Sequence, residues 1–303
     1  MAEIRAGIIG LDTSHAKAFT DAFNNPKART HVPGVKVVAA YPSYSEDIDK
    51  SKGRVDDYKK ILSEDYGVKM TSSIPEMLEM VDVVLLESVD GRRHLPEYRQ
   101  VAPTGKPTFI DKPFAASLAD AKEIVRLSRE HNAACWSSSA LRFDANLQKF
   151  LSEKDKHGRV IGCDAYSPAH LEKTNPGFFW YGIHGVEILF ALMGTGCQSV
   201  RCTSTEAGDV AVGIWKDGRI GTMRGIRSGR SDYGASVIAE KSMVDLPRAT
   251  DSDIYQGLIR AIADFFKSGR PPVPLEETLE ICAFIEAAWK SSQEACGDVK
   301  IDL

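Results

Sequence analysis

Strands and helices alternate through the first half of the chain, and this alternation restricts the fold more than any other feature. Ile4 to Gly10 is a short apolar run of the kind that forms a buried strand. Asp12-Thr13-Ser14 then supplies N-cap residues for a helix whose apolar positions are Ala16, Phe19, Ala22 and Phe23. Val35 to Ala40, Val81 to Leu86, the run that ends before Asp111, and Ala133 to Ser137 read as further strands, with a short one at Lys69 to Ser72. Between them lie helical stretches: Val55 to Tyr66 closed by Gly67, Ile74 to Met80 behind Ser73, His94 to Ala102 starting near Pro96, and Leu118 to Asn132 capped by Ser117. The expectation is an α/β domain over residues 1–140, built on a doubly wound parallel sheet.

The pattern changes after Leu141. A short helix (Ala145 to Leu151), a strand (Val160 to Tyr166) and an apolar helix (Gly182 to Met193) lead into hairpin-like text from Gln198 to Leu246. Lys216-Asp217-Gly218 is the turn between two of those strands. Two helices follow, Asp253 to Lys267 and Leu275 to Ala295. Residues 141–303 therefore read as an α+β domain with an open antiparallel sheet.

The net charge of −4 leaves no electrostatic footprint for nucleic acid or an anionic membrane. Cys135, Cys163, Cys197, Cys202, Cys282 and Cys296 form no C-x-x-C pair, which fits reduced, buried thiols better than a disulfide framework or a zinc site. The first strand starts so close to Met1 that no room is left for a signal peptide, and no apolar run would cross a bilayer. A cytoplasmic protein is expected.

Three segments carry candidate chemistry. Phe109-Ile110-Asp111-Lys112-Pro113 delivers Lys112 to the carboxyl end of a strand, where open α/β sheets hold their ligands. There it is a solvated lysine before a turn, or a charge and proton donor for a ligand oxygen. The first turn, Gly10-Leu11-Asp12-Thr13-Ser14-His15, has one of the three glycines of the dinucleotide fingerprint G-x-G-x-x-G. Asp12 puts bulk and negative charge where the second glycine lets the backbone approach a pyrophosphate. The helix N-terminus behind it would still receive a phosphate, or Asp12 caps the helix or binds a substrate hydroxyl. The second strand ends at Tyr41, where a ribose-binding acid would stand; its ring would stack on adenine, with Ser43 or Ser45 on a 2′-phosphate. In the second half, Trp180, His184 and Glu187 share a helical face, so Glu187 would orient or relay a proton with His184, or simply pair with it in the core.

These residues resemble the Gfo/Idh/MocA family, named for glucose–fructose oxidoreductase and inositol dehydrogenase. Val81 to Leu86, His94, Gly105-Lys106-Pro107 and Asp111-Lys112-Pro113 are similar to its strand, histidine and E-K-P sequence, and Gly182-x-His184-x-x-Glu187 to its D-x-G-x-H-x-x-D. Trp180 replaces the first aspartate of that motif, and Asp111 and Glu187 are exchanges of one acid for another. The resemblance implies a Rossmann domain followed by an α+β domain whose sheet often forms the dimer interface, hence a homodimer or higher homo-oligomer. It also implies NAD or NADP at the strand tips, contacted by Gly10 to His15, Tyr41, His94 and Lys112, and a sugar, polyol or related hydroxy or keto substrate between the domains. Lys112 would hold the substrate hydroxyl, His184 would be the acid–base residue, and Glu187 would stand in for the lost aspartate. The missing glycines keep two alternatives open: a nucleotide-independent lyase or hydratase on a keto-sugar, and a non-catalytic sugar-binding protein. No metal site is expected.

Overall fold

A computed structural model describes residues 3–250, 253–293 and 297–303. Cys296 and the expected last residues of the closing helix, 294 and 295, lie outside the described residues. The chain divides into two compact units. The first takes residues up to 115, 119–138 and 258–275; the second takes 116–118, 139–257 and 276–303.

The first unit contains β1 (Ile4–Ile9), α1 (Ser14–Asn24), β2 (Val35–Tyr41), α2 (Asp49–Lys52), α3 (Val55–Tyr66), β3 (Lys69–Met70), α4 (Ile74–Leu78), β4 (Val83–Leu86), α5 (Gly91–Val101), β5 (Thr108–Ile110), α6 (Leu118–Glu130) and β6 (Cys135–Trp136). The sheet order is β3-β2-β1-β4-β5-β6, and every pair is parallel. Strand order reverses between β1 and β4, so the crevice at their carboxyl ends is the topological switch point. Rings fill the core in series. Phe19 lies 6.2 Å from Phe109, Phe109 5.1 Å from Trp136, and Trp136 6.1 Å from Phe265. Phe265 belongs to a late helix, so the unit closes with residues far along the chain.

Two details depart from the sequence reading. The helix expected near Pro96 starts at Gly91, because the Asp90 side chain accepts the Arg92 N–H at 3.0 Å and caps it. The segment between β2 and α3 is not a simple strand ending: it carries α2, whose Ser51 is fully buried.

The second unit contains α7 (Ala145–Ser152), α8 (Lys154–His157), β7 (Val160–Pro168), α9 (Ile183–Met193), β8 (Cys197–Thr205), β9 (Gly208–Trp215), β10 (Ile220–Ile226), β11 (Gly234–Ala239) and β12 (Met243–Pro247). Later in the chain come α10 (Gln256–Ser268), nearly all of which belongs to the first unit, and then α11 (Leu275–Gln293) and β13 (Val299–Lys300) of the second. The sheet order is β12-β11-β7-β10-β9-β8-β13. This sheet is mostly antiparallel, as expected, with one exception: β7 and β10 pair in parallel. The reason is topological, since α9 and the β8–β9 hairpin intervene before β10 arrives beside β7. Phe190 of α9 packs 5.8 Å from Trp215 and 5.7 Å from Phe284. Trp180 precedes α9 and so does not share its helical face. Among the described residues no helix is long and apolar enough to cross a membrane.

Candidate functional site

The switch-point end of the parallel sheet is crowded with buried acid. Gly10 follows β1 with φ of +95°, and a Cβ on it would fall 2.3 Å from the Ser88 amide nitrogen. The turn after β1 therefore lies directly against the turn after β4. Leu11 and Asp12 are fully buried, Thr13 nearly so, and Ser14 is exposed. Thr13 caps α1 by accepting the His15 N–H at 3.3 Å. One Asp12 oxygen accepts a hydrogen bond from the Ser51 hydroxyl at 2.6 Å, and the other accepts the Val89 N–H at 3.0 Å. Burial pushes the Asp12 carboxyl up to about 6, against the lowering effect of the bonds from Ser51 and Val89 and with the charge of Glu97 adding to it.

Glu87, immediately after β4, is fully buried with neither oxygen hydrogen-bonded. Burial, then the charges of Asp111 and Asp12, hold it well above the usual carboxylate range. Two further buried acids complete the group. Glu97 accepts from the Ser88 hydroxyl at 2.8 Å and from Arg93 Nε at 3.2 Å. Asp90 accepts from the Ser45 hydroxyl at 2.6 Å.

The fold brings His15 onto the lysine strand. Its Nδ1 lies 2.6 Å from one Asp111 oxygen, and the other accepts the Lys112 N–H at 2.8 Å. Burial works to raise Asp111, but His15 and then Lys112 outweigh it and hold the carboxyl below its ordinary range. Lys112 is buried at the end of the β5 segment, 9% exposed. His94 is fully buried, with Nε2 2.6 Å from the Ser88 carbonyl and Nδ1 3.3 Å from that of Phe114. Both ring nitrogens are thus taken up by the main chain, and the ring braces the β4 turn against the segment after Lys112. Tyr41 is half-buried, and its carbonyl accepts the Gly10 N–H at 3.1 Å.

A dinucleotide's pyrophosphate at this turn needs open main-chain N–H groups and no competing anion. The residues present do not fit it. The Gly10 and Leu11 N–H groups bond to the Tyr41 and Ser43 carbonyls, and Asp12 places a carboxylate at the second fingerprint position. Ser43 and Ser45, expected to serve a 2′-phosphate, are bound instead: Ser43 to Glu97 and Arg93, Ser45 to Asp90.

In the second unit, α9 presents His184, whose Nδ1 lies 2.6 Å from the Ser139 hydroxyl oxygen. Tyr181 and Tyr233 stand edge-on to the imidazole at 5.3 and 5.6 Å, and the Tyr233 hydroxyl donates to that of Tyr181 at 3.2 Å. Burial, then the bond to Tyr181, pushes the Tyr233 phenol upward and keeps it protonated. A buried imidazole fixed at Nδ1 by a hydroxyl is suited to move a proton at Nε2. Glu187 accepts from Arg142 Nε at 2.6 Å, and Arg142 Nη2 lies 2.6 Å from Glu277. Burial opposes the charge of Arg142, and the two glutamates more than restore it. Glu187 is thus a counter-ion of Arg142, a partner that the helical spacing did not suggest. Sequence reasoning missed Ser139 and Arg142; both stand 45 residues from their partners on α9, with no local signal. Among the described residues no group of three or more His, Cys, Asp or Glu side chains is placed to hold a metal ion.

Residues 4–139 match the family model described as an oxidoreductase family with an NAD-binding Rossmann fold. An uncharacterized oxidoreductase of Escherichia coli, YhhX, is 26% identical over 140 residues, 42% of this chain and 40% of that protein. The alignments span less than half the length of the curated relatives the chain matches. Among solved structures, a probable dehydrogenase from Thermotoga maritima is similar with a TM-score of 0.81 at 19% identity, covering 98% of this chain and 99% of that one. The apo scyllo-inositol dehydrogenase of Lactobacillus casei is similar with a TM-score of 0.82 at 14% identity, covering 99% and 98%.

The Asp12 environment makes stability depend on pH. Its folded pKa of about 6 stands above the ordinary 3.8, so the folded chain holds this proton more tightly. The stabilisation is fully present below the unfolded pKa and is lost as pH rises through the folded one. Asp12→Asn does not titrate there. Its stability relative to wild type should therefore rise, on the order of 3 kcal/mol, between about pH 4 and about pH 7, as urea unfolding would measure. A difference constant across that range would place Asp12 in a solvated environment.

Proposed function

Because the chain belongs to the Gfo/Idh/MocA oxidoreductase family through its residues 4–139, we propose that it is an enzyme acting on a sugar, polyol or related hydroxy or keto compound. Lys112 holds the substrate oxygen through its amino group, and His184 takes or returns the proton. A carbon bearing a hydroxyl gives up a hydride only as its oxygen loses a proton, so a lysine and a clamped imidazole supply the acid–base half of an oxidoreductase reaction. The observation that carries this reading is the Ser139–His184 pair, which fixes one ring nitrogen and leaves the ring oriented by two tyrosines. The scyllo-inositol dehydrogenase of the same fold supports a polyol-like substrate. The buried thiols of Cys135, Cys163, Cys197 and Cys282 support a reducing compartment such as the cytoplasm.

The family description points to NAD or NADP as the redox partner. The crowding at Asp12 favours a second reading beside it: a lyase or hydratase on a keto-sugar, using the same lysine and histidine with no nucleotide. Screening sugars and polyols with and without nucleotide separates the two, since only the first changes nicotinamide absorbance as substrate is consumed. Under either, His184→Ala should lower turnover by roughly 10²–10⁴-fold, with Ser139→Ala losing less. An unchanged rate in His184→Ala would leave the imidazole a packing residue.

We also propose a homodimer formed through the second unit's sheet. Ile238, Gly162, Ile220 and Ile214 form one row across β11, β7, β10 and β9. The three isoleucines are 42%, 53% and 42% exposed, an apolar band of the kind that marks an interface. Sedimentation should give a dimer for the wild type and a monomer for Ile220→Glu; a monomeric wild type contradicts the assignment.

A further inference from the structure

We infer that the chain itself fills the place where a Rossmann domain of its family would seat a dinucleotide's pyrophosphate, so that this protein does not take NAD or NADP at the N-terminus of α1. The occupant is the segment from Pro42 to Arg54, tied down through Asp12. Of the two readings under the proposed function, it selects the lyase or hydratase that needs no hydride acceptor, and the acid–base roles of Lys112 and His184 stand or fall separately.

Three sets of contacts converge on that position. From the β2 side, α2 brings Ser51 onto Asp12, and the Ser51 oxygen also receives the Ser45 N–H at 2.8 Å. From the β4 side, the Val89 N–H reaches the other Asp12 oxygen, and Ser88 packs against Gly10. Across the top, Ser45 bonds to Asp90, Arg93 Nη2 reaches the Ser43 hydroxyl at 2.8 Å, and Arg92 bridges Asp90 and Asp47 at 2.7 Å each. The inserted segment is thus held to both walls of the crevice by groups that are mostly buried.

The electrostatics agree with the packing. Asp12, Asp90, Glu97 and Asp111 are all buried at this end of the sheet. A pyrophosphate brought there would meet carboxyl groups at short range in a poorly solvated site, where like charges repel strongly. The two arginines nearby already have carboxylate partners, so the donor set is matched to the chain's own acids. Asp12 is the hinge of the arrangement, since it stands at the second fingerprint position and bonds to both the inserted segment and the β4 turn; Glu97 makes a second such tie, through Ser43 and Ser88.

The test is calorimetric titration of the full-length protein with NAD, NADH, NADP and NADPH. The wild type should show no saturable binding up to millimolar nucleotide. Asp12→Gly, and Asp12→Gly combined with Ser51→Gly, remove the bulk, the charge and the tether; they should gain affinity by about tenfold or more. Far-UV circular dichroism and urea unfolding establish that the variants fold, with Asp12→Ser as the milder exchange if glycine does not. Wild-type binding in the micromolar range overturns the inference. Folded variants that bind no better than wild type overturn it as well, because Asp12 would then not be the obstacle. A protein that fails both nucleotide arms yet loses turnover on His184→Ala keeps its acid–base function without this cofactor.

Discussion

One buried carboxylate organises the ligand end of the first unit. Asp12 sits at the start of α1, where the helix dipole favours negative charge, and draws in a hydroxyl from α2 and an amide from the turn after β4. A carboxylate without those donors would be intolerable in a site this dry. With them it is merely costly, and the cost appears as an elevated proton affinity. The neighbouring Glu87 has no donors, and its proton affinity is raised as well. The Asp111 carboxyl, by contrast, has His15 and Lys112 beside it and is held below its ordinary range. Buried acids at one sheet end thus differ in proton affinity according to their partners.

The alternation of strands and helices was legible in the sequence because each element is amphipathic or fully buried at its own period. Val55 to Tyr66 with Gly67, and Ser73 before α4, appear where their capping chemistry places them. The parallel β7–β10 pair was not legible, since hairpin-like spacing says which strands are close in sequence and nothing about a strand that returns after a helix and a hairpin. The substituted glycine at position 12 was visible, and with it the reason for doubting a pyrophosphate. What the aspartate does instead depends on Ser51 and Val89, 39 and 77 residues away, and no local pattern names such partners. His15 meeting Asp111 across 96 residues is hidden in the same way. The i, i+3 spacing of His184 and Glu187 pointed to each other and said nothing of the partners the fold adds: Ser139 for the histidine, Arg142 for the glutamate.

The two halves of the candidate chemistry have therefore fared differently. Lys112 and His184, proposed to handle the proton, are both buried; the Lys112 main-chain N–H meets Asp111, and His184 Nδ1 meets the Ser139 hydroxyl. The end of the sheet that would bind an anion holds acids, serines and an inserted turn. A shared fold carries neither half by itself, because chemistry depends on the side chains placed on the architecture.

The most direct measurement is a crystal structure of the protein grown with millimolar NADH. The account predicts that Asp12 still receives its bonds from Ser51 and Val89, with no nucleotide at the start of α1. Density for a pyrophosphate against that helix, with residues 42–54 moved aside, would contradict it.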